Sequence, residues 1–99
     1  MRPRERTWLC LPLLVSSTAG DWREFTESRD VHQFGMGLRL MHPVELGMRL
    51  RAKLPMPASF RIRQTGKRLY TVSAVIRHAT SLPDGANLIG VEYEAVLDD

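Results

Sequence analysis

Hydrophobic and polar residues alternate along most of this chain with a period of two. The stretch from Met48 to Leu54 shows it most clearly: Met48, Leu50, Ala52 and Leu54 are apolar, and Arg49, Arg51 and Lys53 between them are basic. Successive side chains of an extended strand point to opposite faces, so this spacing predicts a strand with one buried face and one wet, basic face. Leu9, Leu11, Leu13 and Val15 predict a first strand by the same rule. Pro12 has no amide hydrogen for a ladder, which puts that strand at an edge or on a bulge. Trp22 to Val31 alternates poorly, with Trp22, Phe25 and Val31 set among charges, and reads as a long, mostly exposed strand. Met36, Leu38 and Leu40 alternate with Gly37 and Arg39, so the strand is expected to resume after a bend at the glycines. Phe60 and Ile62 alternate with Arg61 and Arg63 ahead of a hairpin turn at Gln64-Thr65-Gly66-Lys67. Tyr70, Val72, Ala74, Ile76 and His78 share one face of a further strand, with Arg77 on the other. Ile89, Val91, Tyr93 and Ala95 share a face of the last.

Turn signals separate these runs: Ser16 to Asp21 with Gly20, His42-Pro43 to Gly47, Pro55 with Pro57, and Pro83-Asp84-Gly85. No segment of useful length carries apolar residues at spacings of three and four, so little or no helix is expected. Short strands and turns filling 99 residues predict an all-β chain, a single antiparallel barrel or sandwich over residues 1–99. Closing the sheet would hide its edges.

Composition narrows the function. Hydrophobic residues at 43% and charged residues at 25% are those of an ordinary folded domain. A net charge of +3 is too mild for coating long nucleic acid, but it suits a small anion if the charges cluster. Arg2, Arg4 and Arg6 do cluster, within a polar stretch, residues 1–7, that reads as a flexible basic arm. Cys10 is the sole cysteine, which excludes an internal disulfide, and it reads as a small buried hydrophobe. His32, His42 and His78 lack a second thiol or a zinc-type spacing, so no metal site is expected. No nucleophile or carboxylate pair assembles, so no catalytic residues and no enzyme are expected. No apolar run reaches the roughly 18 residues of a membrane span. The leading arginines, the apolar run from Trp8 to Val15 and the small residues after it imitate a secretory leader. Glu5 and Pro12 interrupt that pattern, and the segment is needed as a strand, so a cytoplasmic protein is expected.

The stretch Asp30-Val31-His32-Gln33-Phe34-Gly35-Met36-Gly37 breaks the alternation. An acid, a polar residue two later and a glycine five later suit a strand that bends and exposes backbone. Gly35 and Gly37 offer unusual backbone angles or close approach by a ligand. With the leading arginines, this bend reads as a pocket for an anionic guanine nucleotide.

These elements, in order, resemble a PilZ domain over almost the whole chain. Arg2-Pro3-Arg4-Glu5-Arg6 fits an R-x-x-x-R element, and Asp30 to Gly35 fits most of a [D/N]-x-S-x-x-G element. Leu46 to Pro55 and Ile89-Gly90-Val91-Glu92-Tyr93 are similar to the family's later strands. The resemblance implies a six-stranded barrel that binds cyclic di-GMP, in a family some of whose members have lost binding. It implies ligand roles for Arg2, Arg6, Asp30, His32 and Gly35, with Arg77 bordering the pocket.

Two departures stand out. His32 replaces the family's serine, and the C-terminal helix often found in the family is expected to be absent. An arginine fork can hold guanine O6 and N7 or pair with a phosphate. Arg2 and Arg6 on an extended arm span up to about 13–14 Å, enough to grip separate parts of one dinucleotide. Asp30 would accept from guanine N1 and N2 or orient an arginine. His32 could donate a hydrogen bond or stack, and Gly35 would admit the backbone. No cofactor is expected beyond the ligand itself, and a protein partner would read its binding. A PilZ-like interaction module without nucleotide is the alternative. Binding of single-stranded nucleic acid is disfavoured, because no exposed aromatic cluster lies on one face.

Overall fold

The computed structural model describes residues 8–97. The predicted arm, residues 1–7 with Arg2, Arg4 and Arg6, lies outside them. Six strands form: β1 (Pro12–Ser17), β2 (Arg23–His32), β3 (Gly35–Leu40), β4 (Arg49–Leu54), β5 (Tyr70–Ser81) and β6 (Asn87–Leu97). They close into a barrel in the order β1-β2-β3-β6-β5-β4, and every neighbouring pair is antiparallel. Among the described residues the only helix is a single 3₁₀ turn, Ala58–Phe60, and no helix is long and apolar enough to cross a membrane. The expected all-β, six-stranded antiparallel barrel is what the chain forms.

The cleanest sequence pattern gives the cleanest strand. Leu50, Ala52 and Leu54 of β4 are buried, and Arg49, Arg51 and Lys53 are exposed. Leu13 and Val15, Met36, Leu38 and Leu40, Tyr70, Val72, Ala74 and Ile76, and Ile89 and Val91 complete the interior. Leu9 and Leu11 pack against this core ahead of β1. Pro12 is the first residue of β1, where a missing amide hydrogen does least harm.

The poor alternation of β2 has a physical cause. Its inward positions Glu24, Thr26 and Ser28 are polar, and each side chain binds backbone from another segment. Glu24 accepts from the Met41 and His42 amides at 2.8 and 3.0 Å. The Thr26 hydroxyl donates to the Arg39 carbonyl at 2.7 Å. Ser28 bonds the segment before β1, while Phe25 points outward and is exposed.

Other expectations need correction. Phe60 to Arg63 is not a strand, and Gln64 to Lys67 is not the turn of a hairpin. β4 pairs directly with β5 from Leu54 and Tyr70, across a loop that the Arg61 guanidinium holds together. Arg61 donates to the carbonyls of Met56, Lys67 and Arg68 at 2.8, 2.8 and 3.0 Å, so it is a loop organiser rather than part of a wet strand face. Glu94 is an extra residue in β6 between the Ser73–Ala95 and Ala74–Tyr93 pairs. That bulge reverses the parity, so Ala95 is exposed and Val96 packs on the core. Cys10 is exposed rather than buried, and its hydrogen bond to Glu27 pushes the thiol pKa up, away from a reactive thiolate.

Candidate functional site

Two bulges build the site. In β2, Ser28 pairs with Leu38 and Asp30 with Gly37, leaving Arg29 as the extra residue. In β5, Ile76 pairs with Val91 and His78 with Gly90, leaving Arg77 extra. A bulge sets two residues against one on the partner strand and re-aims their side chains. Arg29 with Asp30, and Arg77 with His78, therefore line the same outer cleft, instead of alternating across the sheet. This is also why His78 leaves the buried face expected of it and is exposed.

Gly37 pairs with Gly90 between these two bulges. Asp30, Gly37, Gly90 and His78 thus form one row across β2, β3, β6 and β5. The two central positions have no side chains, and their neighbours lean into that space, the Asp30 carboxylate and Arg29 guanidinium over Gly37 and the His78 side chain over Gly90, at the floor of a trough in a cleft of about 500 Å³. Neither Gly35 nor Gly37 has a positive φ, so the expected unusual backbone angles are absent. Close approach is what both require. A Cβ on Gly37 would lie 2.7 Å from Asp30 Oδ1, and one on Gly35 would lie 2.3 Å from the Val91 carbonyl oxygen.

Asp30 is only 3% exposed. Its Oδ1 accepts from the Gly37 amide at 2.8 Å, and its Oδ2 pairs with Arg29 at 3.4 Å. The carboxylate thus holds the strand and aims an arginine. His32 folds back across the turn, where its Nδ1 accepts from the Phe34 amide at 3.2 Å and its Cε1 comes within 3.3 Å of a Cβ position on Gly35. Its ring proton then sits on Nε2. The imidazole covers Gly35. Arg77 pairs with Glu92 at 2.9 Å on the opposite wall.

The charges of the described lining therefore cancel: Arg29 against Asp30, and Arg77 against Glu92. The cleft has shape and donors but no surplus of positive charge from these four residues. Its rim leads to the N-terminus. The Ser28 hydroxyl donates to the Leu9 carbonyl at 2.6 Å and accepts from the Leu11 amide at 2.9 Å, fixing that segment beside β2. Trp8 then lies over the Arg29 guanidinium, 5.2 Å from carbon to ring centroid, and is 68% exposed.

Of the residues expected at a site, Asp30, His32 and Arg77 line this cleft, Gly35 lies under the His32 ring, and Arg2 and Arg6 lie outside the described residues. Arg29, His78, Gly90 and Ser28 were not singled out as site residues by sequence reasoning, and Trp8 was read as core or rim packing. The break in alternation at Ser28 to Val31 was the available signal for the first. Among the described residues no group of three or more His, Cys, Asp or Glu side chains is placed to hold a metal ion.

The PilZ domain of YcgR from Escherichia coli, solved with c-di-GMP, matches 93% of this chain with a TM-score of 0.66 at 13% identity, over 76% of its own length. This chain has the PilZ-domain fold. The Bacillus subtilis inhibitor of motility MotI/DgrA matches 98% of the PilZ-fold chain with a TM-score of 0.74 at 19% identity. MrkH of K. pneumoniae in its apo state matches 95% with a TM-score of 0.62 at 14% identity. The chain spans 44% of the MotI/DgrA chain and 43% of the MrkH chain. No protein-family model and no curated protein sequence matches it.

Proposed function

We propose that this PilZ-fold chain is a non-enzymatic, cytoplasmic receptor for cyclic di-GMP, whose leading arginines close over the Gly37–Gly90 trough and whose altered surface is read by a protein partner. The observation that carries this reading is the trough over the Gly37–Gly90 pair, walled by two arginines and two histidines, with Trp8 at its rim. A flat purine can lie over these glycines once the Arg29 and His78 side chains that cover them turn aside, where a larger residue on the floor would hold it away. Arg29 and Arg77 can turn from their carboxylates to stack on a base or donate to its O6 and N7.

The balanced lining favours the leader as the holder of the phosphates. Arg6 is two residues from Trp8, so its Cα stays within about 7 Å of the Trp8 Cα in any conformation. Arg2 and Arg6 supply the charge that the cleft lacks, and ordering the leader on binding changes the surface beside β2. Asp30 orients Arg29, since both its oxygens already have partners. Gly35 gives His32 its place, and His32 walls the cleft.

Calorimetric titration of the native protein with cyclic di-GMP at moderate salt tests the proposal. Saturable heat is expected, and its absence overturns it. A second reading, an interaction module without nucleotide, draws on the His32 ring lying over Gly35 where the family has serine. Binding that appears only in His32→Ser would establish that reading.

A further inference from the structure

A second basic cleft, of about 420 Å³, lies on the outer face of β1 and β4. In the closed strand order, β1 and β4 stand directly across the barrel from β6 and β3, which carry Gly90 and Gly37. The two clefts therefore face opposite directions. Ser16 of β1 pairs with Arg23 of β2 on one side and Arg51 of β4 on the other. This makes a row with a small hydroxyl between two arginines whose backbones are about 9.5 Å apart, two strand spacings. The adjoining row runs Lys53, Leu14, Phe25, and Phe25 is 83% exposed.

The arginines here differ from those on the rest of the strands. Arg29, Arg39, Arg49 and Arg77 each pair with a carboxylate. Arg23 and Arg51 have no ion-pair partner among the described residues. Two unneutralised guanidinium groups on either side of a serine, lining one cleft, are complementary to a carboxylate, and the Leu14–Phe25 surface beside them is complementary to an apolar side chain. The barrel is closed, so it offers no edge for strand addition and must be recognised through outward side chains.

We infer that this face is a docking surface for an acidic protein segment in which carboxylates alternate with apolar residues. Its carboxylates seat between Arg23 and Arg51, and its apolar side chain covers Leu14 and Phe25. Single-stranded nucleic acid fits less well, because it needs stacking platforms. Trp22, the indole lining this cleft, is already stacked on His42 at 3.9 Å, and Phe25 stands alone. The inference goes beyond nucleotide recognition and does not depend on it.

The test is fluorescence anisotropy of a labelled octapeptide of alternating glutamate and leucine against the native protein, Arg23→Glu, Arg51→Glu and Arg39→Gln. Saturable, salt-sensitive binding is expected, weakened about tenfold or more by either charge reversal and unchanged by Arg39→Gln on the far side. No binding by the native protein, or binding indifferent to both reversals, overturns the proposal. Tighter binding of a short single-stranded RNA through Arg23 and Arg51 also overturns it, and assigns the face to nucleic acid. A parallel cyclic di-GMP titration of Arg51→Glu keeps the two sites separate. Loss of peptide binding with nucleotide binding retained supports two independent surfaces. Peptide binding without any nucleotide binding leaves this surface standing and removes the receptor reading.

Discussion

Gly37→Ala tests how the floor of the cleft is built. The new Cβ would lie 2.7 Å from Asp30 Oδ1 and 3.4 Å from its Cγ, too close to coexist with the carboxylate where it stands. Asp30 is buried, and the same oxygen accepts the Gly37 amide at 2.8 Å, so moving it breaks that bond and disturbs the pair with Arg29. A hydrogen bond to a charged group contributes about 1.5–3 kcal/mol. Replacing glycine by alanine in a strand returns about 0.5–1 kcal/mol of backbone entropy. The net loss is about 1–2 kcal/mol, which in a domain of this size lowers the melting temperature by about 5–15 °C. Urea unfolding of the native protein, Gly37→Ala, Asp30→Ala and the double variant gives the decisive cycle. With the carboxylate absent, the added methyl has nothing to displace, so Gly37→Ala should be neutral or stabilising in the Asp30→Ala background. The coupling is expected to be at least about 1 kcal/mol. Additive effects would refute the assignment of Gly37 as the space for Asp30.

Further outcomes separate glycines that hold the barrel from glycines that open the trough. Gly35→Ala sets a Cβ 2.3 Å from a backbone carbonyl, which cannot rotate aside, and should cost about 3 kcal/mol in denaturant unfolding. Gly90→Ala meets only the exposed His78 ring at 3.3 Å, so its stability should stay within about 0.5 kcal/mol of native while nucleotide titration weakens about tenfold. The buried Tyr93 hydroxyl has no partner among the described residues, and burial pushes its pKa up. Tyr93→Phe should leave the urea midpoint unchanged or raise stability by up to about 1 kcal/mol, and a loss larger than that would reveal a partner. Asp84 has its pKa lowered from 3.8, first by the Ala86 amide and then by Arg39. A depressed folded pKa contributes stability above pH 3.8 that disappears as the pH falls through the folded value. Asp84→Asn should therefore show a shallower acid loss than the native protein in urea midpoints measured downward from pH 5.

The parts of the fold legible in the sequence are those where each residue serves one face. β4 is such a strand, and Met36 to Leu40 another. β2 was harder to read because Glu24, Thr26 and Ser28 spend their inward positions on backbone partners that are distant in sequence. The span from Phe60 to Lys67 imitated a hairpin because alternation over four residues does not distinguish a strand from a loop stapled by one arginine. At the cleft, the expected bend of one strand is a hairpin turn at Gln33 and Phe34 between β2 and β3, and Gly35 and Gly37 serve the close approach expected of them without the unusual backbone angles. Gly90 and His78 were hidden because their importance arises from register: a bulge at Arg77 brings His78 opposite Gly90, and no local pattern encodes which glycines pair across β3 and β6.

The most direct measurement is calorimetric titration with cyclic di-GMP of the native protein and of the Arg2→Ala/Arg6→Ala double variant, each at low and moderate salt. A cleft whose own charges cancel predicts salt-sensitive binding by the native protein. It also predicts about hundredfold or greater weakening in the double variant, since each charge-assisted hydrogen bond to the ligand contributes about 1.5–3 kcal/mol. Equal affinity for the two proteins, or no heat from the native one at either salt, would contradict a leader that supplies the charge for a glycine-floored receptor.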